Sequence, residues 1–154
     1  MQGAVGARGA QHLLVAALVN ARATAAYARH IAECDDLPLT LLPTASPVEE
    51  ENAPAVEDEV CAAYIEALVV GRGEVAAQIE AGVELVRAVG RLDVFSRGYP
   101  DFPAEDVPAF LAVDRFDFAM VAQRERIGNV DYVRVRRVEV PADHGRADGE
   151  SVVK

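Results

Sequence analysis

The chain has 154 residues, 51% of them hydrophobic, enough for one domain with a buried core and too apolar for a largely disordered segment. Its formal net charge of -10 argues against a general nucleic-acid or polyanion partner. No apolar run reaches membrane-spanning length, and MQGAVGARGAQHLL at the start lacks the apolar stretch of a secretory signal.

In chain order, the first element is HLLVAALV, residues 12–19, a continuous apolar run of the kind a strand buried on both faces shows. It is expected to be the central strand of a sheet. Asn20 follows, and then ARATAAYARHIAE, an Ala-rich helix with Tyr27 and Ile31 four apart. LPLTLLPT, residues 37–44, reads as a second short strand that ends at Pro43. Two apolar strands joined by a helix imply a parallel pair with a right-handed crossover.

An acidic loop, SPVEEENAPA, leads to APAVEDEVCAAYIEAL. Here Val56, Val60, Tyr64, Ile65 and Leu68 fall on one helical stripe. Asn52 is the expected N-cap, Pro54 fits the first turn, and Gly71 and Gly73 end the helix. A second amphipathic helix follows from Gly73, with Val75, Ile79, Val83 and Val86 inward. AEDVPAFLAVD reads as a short helix starting near Ala104 and limited by Pro108.

After it the period changes to two. Phe116, Phe118 and Met120 alternate, as do Val133 and Val135 against Arg134 and Arg136, with Gly128-Asn129 between the runs. This predicts an antiparallel hairpin. The expected fold is a layered α/β/α domain over residues 1–141, with a short, mostly parallel sheet and a C-terminal antiparallel hairpin. Residues 142–154 are expected to form a flexible tail.

Few residues carry a chemical signal. His12, His30 and His144 show no ligand spacing, and the glycine-rich phosphate loop, CxxC, HExxH and GxSxG patterns are missing. Cys34 and Cys61 read as buried thiols in a reducing compartment, so the expected location is the cytoplasm. Arg134, Arg136 and Arg137 read as the solvated face of a strand. Asn20, at the carboxyl end of a buried strand, lies where open α/β sheets bind ligands, or it caps the following helix. Glu57 and Asp58 would lie along the same edge. They are either metal ligands or acids that favour the helix macrodipole.

NARATAAYA, APAVEDEVCAAYI and PDFPAEDVPAFLAVDRFDFAMVAQRE, in this order, resemble the 2-phosphosulfolactate phosphatase family. The run from Asp114 to Ala119 is the most specific match. The resemblance implies a Mg2+-dependent phosphatase that hydrolyses 2-phospho-3-sulfolactate to sulfolactate, a step toward coenzyme M. It places Asn20 at the substrate and Glu57 and Asp58 at the metal and the chemistry. It covers about residues 11–137 but only the later part of the family's sequence, and Cys61-Ala62-Ala63 stands where relatives often carry glycine. The chain is then expected to be a shortened product, one with a misplaced start, or a degenerate relative. In that case an apolar face stands uncovered, and a homo-oligomer is expected. The alternative is a non-catalytic remnant, or an unrelated α/β module, that binds an anionic metabolite or a partner chain.

Overall fold

The structure, a computed structural model, describes residues 7, 9–44, 55–71, 74–89, 92 and 103–141. The expected features at Asn52, Pro54 and Gly73 and the tail 142–154 lie outside them.

Helix α1 spans Ala21–Asp35 and buries Ala21, Ala23, Thr24, Ala25 and Ala28. Small side chains let neighbouring backbones approach closely along this face. The helix ends at Asp36, which takes a left-handed conformation (φ 51°). Helix α2 spans Val56–Val70 and ends at Gly71, also left-handed (φ 70°), where glycine carries no steric penalty. Helix α3 spans Val75–Val89 and buries Ile79 and Val86. The expected inward stripes hold. Tyr64 and Ile65 are buried, with Val60, Leu68, Val75 and Val83 packed against the same cluster as Leu18, Ala21, Ala25, Cys61 and Ile79. Full burial of one such aliphatic side chain contributes about 1.5–3 kcal/mol, so this cluster is the main source of stability.

Helices α2 and α3 approach closely at Gly82, where an added Cβ would lie 2.6 Å from Val60 Cγ1. Helix propensity alone would make Gly82→Ala stabilising by about 1 kcal/mol. Overpacking a contact this tight costs ~1–3 kcal/mol. The expected net result is a lowered urea midpoint. A raised midpoint would show that the two helices have room to part.

A short 3-10 turn at Ala104–Asp106 leads into the one-turn helix α4, Val107–Phe110, with Pro108 in its first turn. Strands β2 (Phe118–Ile127) and β3 (Val130–Glu139) then form the expected antiparallel hairpin, in register from Phe118 opposite Glu139 to Ile127 opposite Val130. Gly128 has φ +61° and Asn129 does not have positive φ, the pattern of a II′ turn, whose twist suits a hairpin. The arginines of β3 are exposed, with Arg134 2.8 Å from Glu125 and Arg137 2.9 Å from Glu139. This agrees with a solvated strand face.

The first third of the chain departs from expectation. The predicted strand 12–19 contracts to the two residues of β1, Leu14–Val15, followed by a 3-10 turn at Leu18–Asn20. The cause is local. Asn20 Oδ1 accepts the Ala17 N–H at 2.9 Å, and the Asn20 N–H donates to the Ala17 carbonyl at 3.1 Å. This reciprocal pair bends the backbone out of the extended form. Among the described residues β1 is also at the edge of the sheet, not its centre: the order is β1-β2-β3, and both pairings are antiparallel. Residues 37–44 form no strand. Pro38 and Pro43 each remove a ladder donor from that run. The described residues therefore contain no parallel pair, and the architecture is mixed α/β with an antiparallel three-stranded sheet. α1 packs on α2 and on β2, and α2 packs on α3. No described helix is long and apolar enough to cross a membrane.

Candidate functional site

The head of α1 is where the sequence-predicted positions and the long-range contacts meet. Asn20 precedes the helix and is fully buried. Its side chain turns back to Ala17 and makes no capping bond to α1. Among the described residues its Nδ2 has no partner.

The cap comes from elsewhere in the chain. Asp114 Oδ1 accepts the Arg22 backbone N–H at 2.8 Å, so a residue 92 positions away satisfies an open donor of the first turn. The segment is held in place by two backbone bonds: the Asp114 N–H donates to the Leu18 carbonyl at 2.9 Å, and the Phe116 N–H to the Val19 carbonyl at 2.8 Å. Asp114 itself has φ 50°, a left-handed conformation that aspartate tolerates better than most residues.

The second oxygen of Asp114 organises a triad. Oδ2 accepts Arg22 Nε–H at 3.0 Å and the Tyr64 hydroxyl at 2.5 Å, while Arg22 Nη2 donates to the Tyr64 oxygen at 2.9 Å. Tyr64 is 2% exposed, so its ring belongs to the core while its hydroxyl belongs to the triad. Burial, then the hydrogen bond and charge of Asp114, push the Tyr64 hydroxyl up to about 12.

One face of α2 carries the acidic side of the site. Asp58, Cys61 and Tyr64 are spaced three apart and share that face. The Asp58 carboxylate accepts from Thr44 Oγ1 at 2.5 Å and from the Thr44 N–H at 3.2 Å. Cys61 is buried and its thiol is pushed up to about 11, first by burial and then by the charges of Asp58 and Asp114. Both carboxylates therefore disfavour ionisation of this one thiol. Glu57 is half-buried and Glu59 is exposed. The other cysteine corrects the expectation of two buried thiols: Cys34 is exposed, in the last turn of α1, with Sγ 3.8 Å from the His30 ring.

The two raised pKa values fix an alkaline behaviour. The folded chain holds both protons more tightly than the unfolded chain, whose ordinary values are 9.0 for the thiol and 10.0 for the phenol. Above pH 9 the unfolded state sheds protons that the folded state keeps, so stability must fall as pH rises through about 11 to 12. Urea midpoints measured from pH 8 upward are expected to drop, and Tyr64→Phe with Cys61→Ala should flatten that slope. An unchanged slope in the double variant would assign the effect to other groups.

Beside this cluster lies a groove of about 950 Å³, bounded by residues 9–16, α1, residues 37–44 and α2. Its floor includes Thr24, Ala28, Cys61 and Ile65. Of the sequence-predicted site residues, Asp58 lines it, and Asn20 and Glu57 do not. Thr24 is 3% exposed, and its Oγ1 has no partner among the described residues.

The structure thus places Asn20 at the head of α1 and Asp58 on the wall of the groove, and leaves Glu57 outside the hydrogen-bonded cluster. Arg22, Tyr64 and Asp114 are the residues that sequence reasoning passed over as a group. Among the described residues no three His, Cys, Asp or Glu side chains come together as a metal site. No family model, curated protein or solved structure matches the chain.

Proposed function

We propose that the chain is a phosphoric monoester hydrolase of the 2-phosphosulfolactate phosphatase type, acting on 2-phospho-3-sulfolactate. One observation carries this reading. The three stretches in which the resemblance lies supply Arg22, Tyr64 and Asp114 to a single hydrogen-bonded cluster. Residues so far apart in sequence meet where buried Asn20 begins α1.

In this reading water attacks phosphorus, the P–O ester bond breaks, and the leaving alkoxide takes up a proton. The substrate is a small multiply charged anion, and the chain is acidic, so a local cation is required. Mg2+ is that cation in the proposal. It needs only one or two protein carboxylates, with water and phosphate oxygens completing its octahedron. Glu57 and Asp58 fit such a sparse site. The donor set does not fit a closed protein cage. When bound, the ion would neutralise charge on the phosphoryl group. Asn20 would contribute its Nδ2 hydrogens to a substrate oxygen, and the Asp114–Tyr64 pair would hold Arg22 in one orientation. The test is phosphate release from the sulfonated ester, with and without Mg2+.

The family reading also places the molecule in the cytoplasm, as one domain over residues 1–141 with a layered, mostly parallel arrangement. It includes self-association. Leu42, Ile127 and Val130 are each at least 65% exposed, and large apolar groups of this kind favour a covered face. Sedimentation is expected to show a dimer or larger species. A monomer at high concentration would remove self-association from the proposal.

A second reading, a non-catalytic module that binds an anion or a partner chain, is favoured by the groove. Its mostly apolar walls suit binding without chemistry. Phosphate binding without ester hydrolysis would select it.

A further inference from the structure

We infer that Arg22 is a binding residue for a phosphate or phosphate-ester dianion, and that Asp114 and Tyr64 are the positioning residues that aim it. For its substrate, though not for its geometry, this rests on the phosphatase reading above.

The argument starts from the guanidinium. Arginine presents five N–H donors in a rigid planar fork. Asp114 takes Nε–H and the Tyr64 hydroxyl takes one Nη2–H, so both fixed contacts lie on the same side of the plane's edge. The outer edge, formed by Nη1 and the second Nη2 hydrogen, has no partner among the described residues. The Arg22 side chain is 63% exposed, whereas its Asp114 partner is 18% exposed. One edge is therefore anchored in the protein and the other is presented to solvent.

This arrangement differs from an ordinary surface ion pair. A lone exposed Arg–carboxylate pair is mobile and holds no fixed direction. Here the carboxylate is itself fixed by the Arg22 backbone N–H and by Tyr64, whose ring is buried. The fork is thus pre-oriented, which lowers the ordering cost of binding. Two parallel N–H donors on the outer edge match two oxygens of a phosphate. The Asp114 charge does not oppose the ligand strongly, because three donors already surround it and it sits on the far edge of the guanidinium. Asn20, two residues before Arg22, adds a buried amide nitrogen without a partner among the described residues.

The probe is inorganic phosphate, with sulfate as the competing anion. In the wild-type chain, phosphate titration is expected to shift the Arg22 Nε–H resonance, and Arg22→Ala is expected to weaken phosphate binding about ten- to hundredfold. Arg22→Lys keeps the charge without the fork and should recover only part of the affinity. Tyr64→Phe keeps the packed ring and should loosen binding severalfold. Arg87→Ala, on α3, should change nothing. Thermal unfolding of each variant separates loss of the fork from loss of the fold, and the wild-type resonance reads the site even where a variant does not fold. An unmoved Arg22 resonance at millimolar phosphate, or equal affinity in folded Arg22→Ala, overturns the inference. The two proposals fail separately. Hydrolysis of 2-phospho-3-sulfolactate with unchanged KM in Arg22→Ala removes the Arg22 site and leaves the hydrolase. Phosphate binding that depends on Arg22, with no hydrolysis in wild type, removes the hydrolase and leaves the site.

Discussion

Asp114→Ala is expected to destabilise the fold by about 2–4 kcal/mol, the largest single-residue effect outside the apolar core. The magnitude has three sources. The Arg22 backbone N–H loses its cap, a loss of about 1 kcal/mol at a helix N-terminus. The Tyr64 hydroxyl, on a ring 2% exposed, loses its acceptor. Alanine must also adopt the left-handed backbone that aspartate tolerates at φ 50°. Asp114→Asn retains an oxygen for the cap and a side chain suited to that conformation, so it should cost only about 1 kcal/mol. Urea unfolding of the two variants measures the difference. If alanine is within ~0.5 kcal/mol of wild type, the triad is a surface contact and α1 needs no remote cap.

Asp58→Asn is expected to reduce Mg2+ affinity at least about tenfold and to abolish Mg2+-dependent phosphatase activity, with the fold nearly intact. Asparagine can still accept from Thr44, so the Thr44 contacts persist. Glu57→Gln should weaken the metal less, because Glu57 is half-buried but outside the cluster. Glu59 is exposed, turned about 100° per residue away along the helix, and Glu59→Gln should leave metal binding unchanged. Each acid also favours the α2 macrodipole by well under ~1 kcal/mol, too little to confuse the comparison. Calorimetric titration of Mg2+ into the four proteins decides. Equal binding by all four, or none in wild type at millimolar metal, would reduce these acids to helix starters.

The helices and the hairpin were legible because their signals are local. The stripe through Val60, Tyr64 and Leu68 and the alternation of Val133 and Val135 each specify one face of one element. The glycines at positions 71 and 128 mark backbone turns that favour them. The run at 12–19 differs from the expected strand because an apolar run does not state its backbone conformation. Asn20 closes a turn on Ala17 within that run, and only the hydrogen bond reveals it. Between Pro38 and Pro43 the leucines form an apolar run that looks like a buried strand, yet each proline removes a ladder donor.

The site was half legible for a related reason. Asn20 and Asp58 stand beside motif-like stretches, and both do lie near the head of α1 or the groove. Arg22, Tyr64 and Asp114 meet across separations of 42 to 92 residues, which no local pattern encodes. Tyr64 was read as core, and its ring is; the hydroxyl is what links the helices to Asp114. The available signal was that the Asp114-to-Ala119 run carried the most specific resemblance while having no assigned partner.

The most direct test of the hydrolase reading is phosphate release from 2-phospho-3-sulfolactate by the purified chain, followed with added Mg2+, with EDTA, and in the Asp58→Asn variant. The account predicts steady release that requires Mg2+, stops with EDTA, and is lost in the variant while its thermal unfolding stays near that of wild type. No release above a protein-free blank at any Mg2+ concentration, or release that persists unchanged in EDTA, would contradict it.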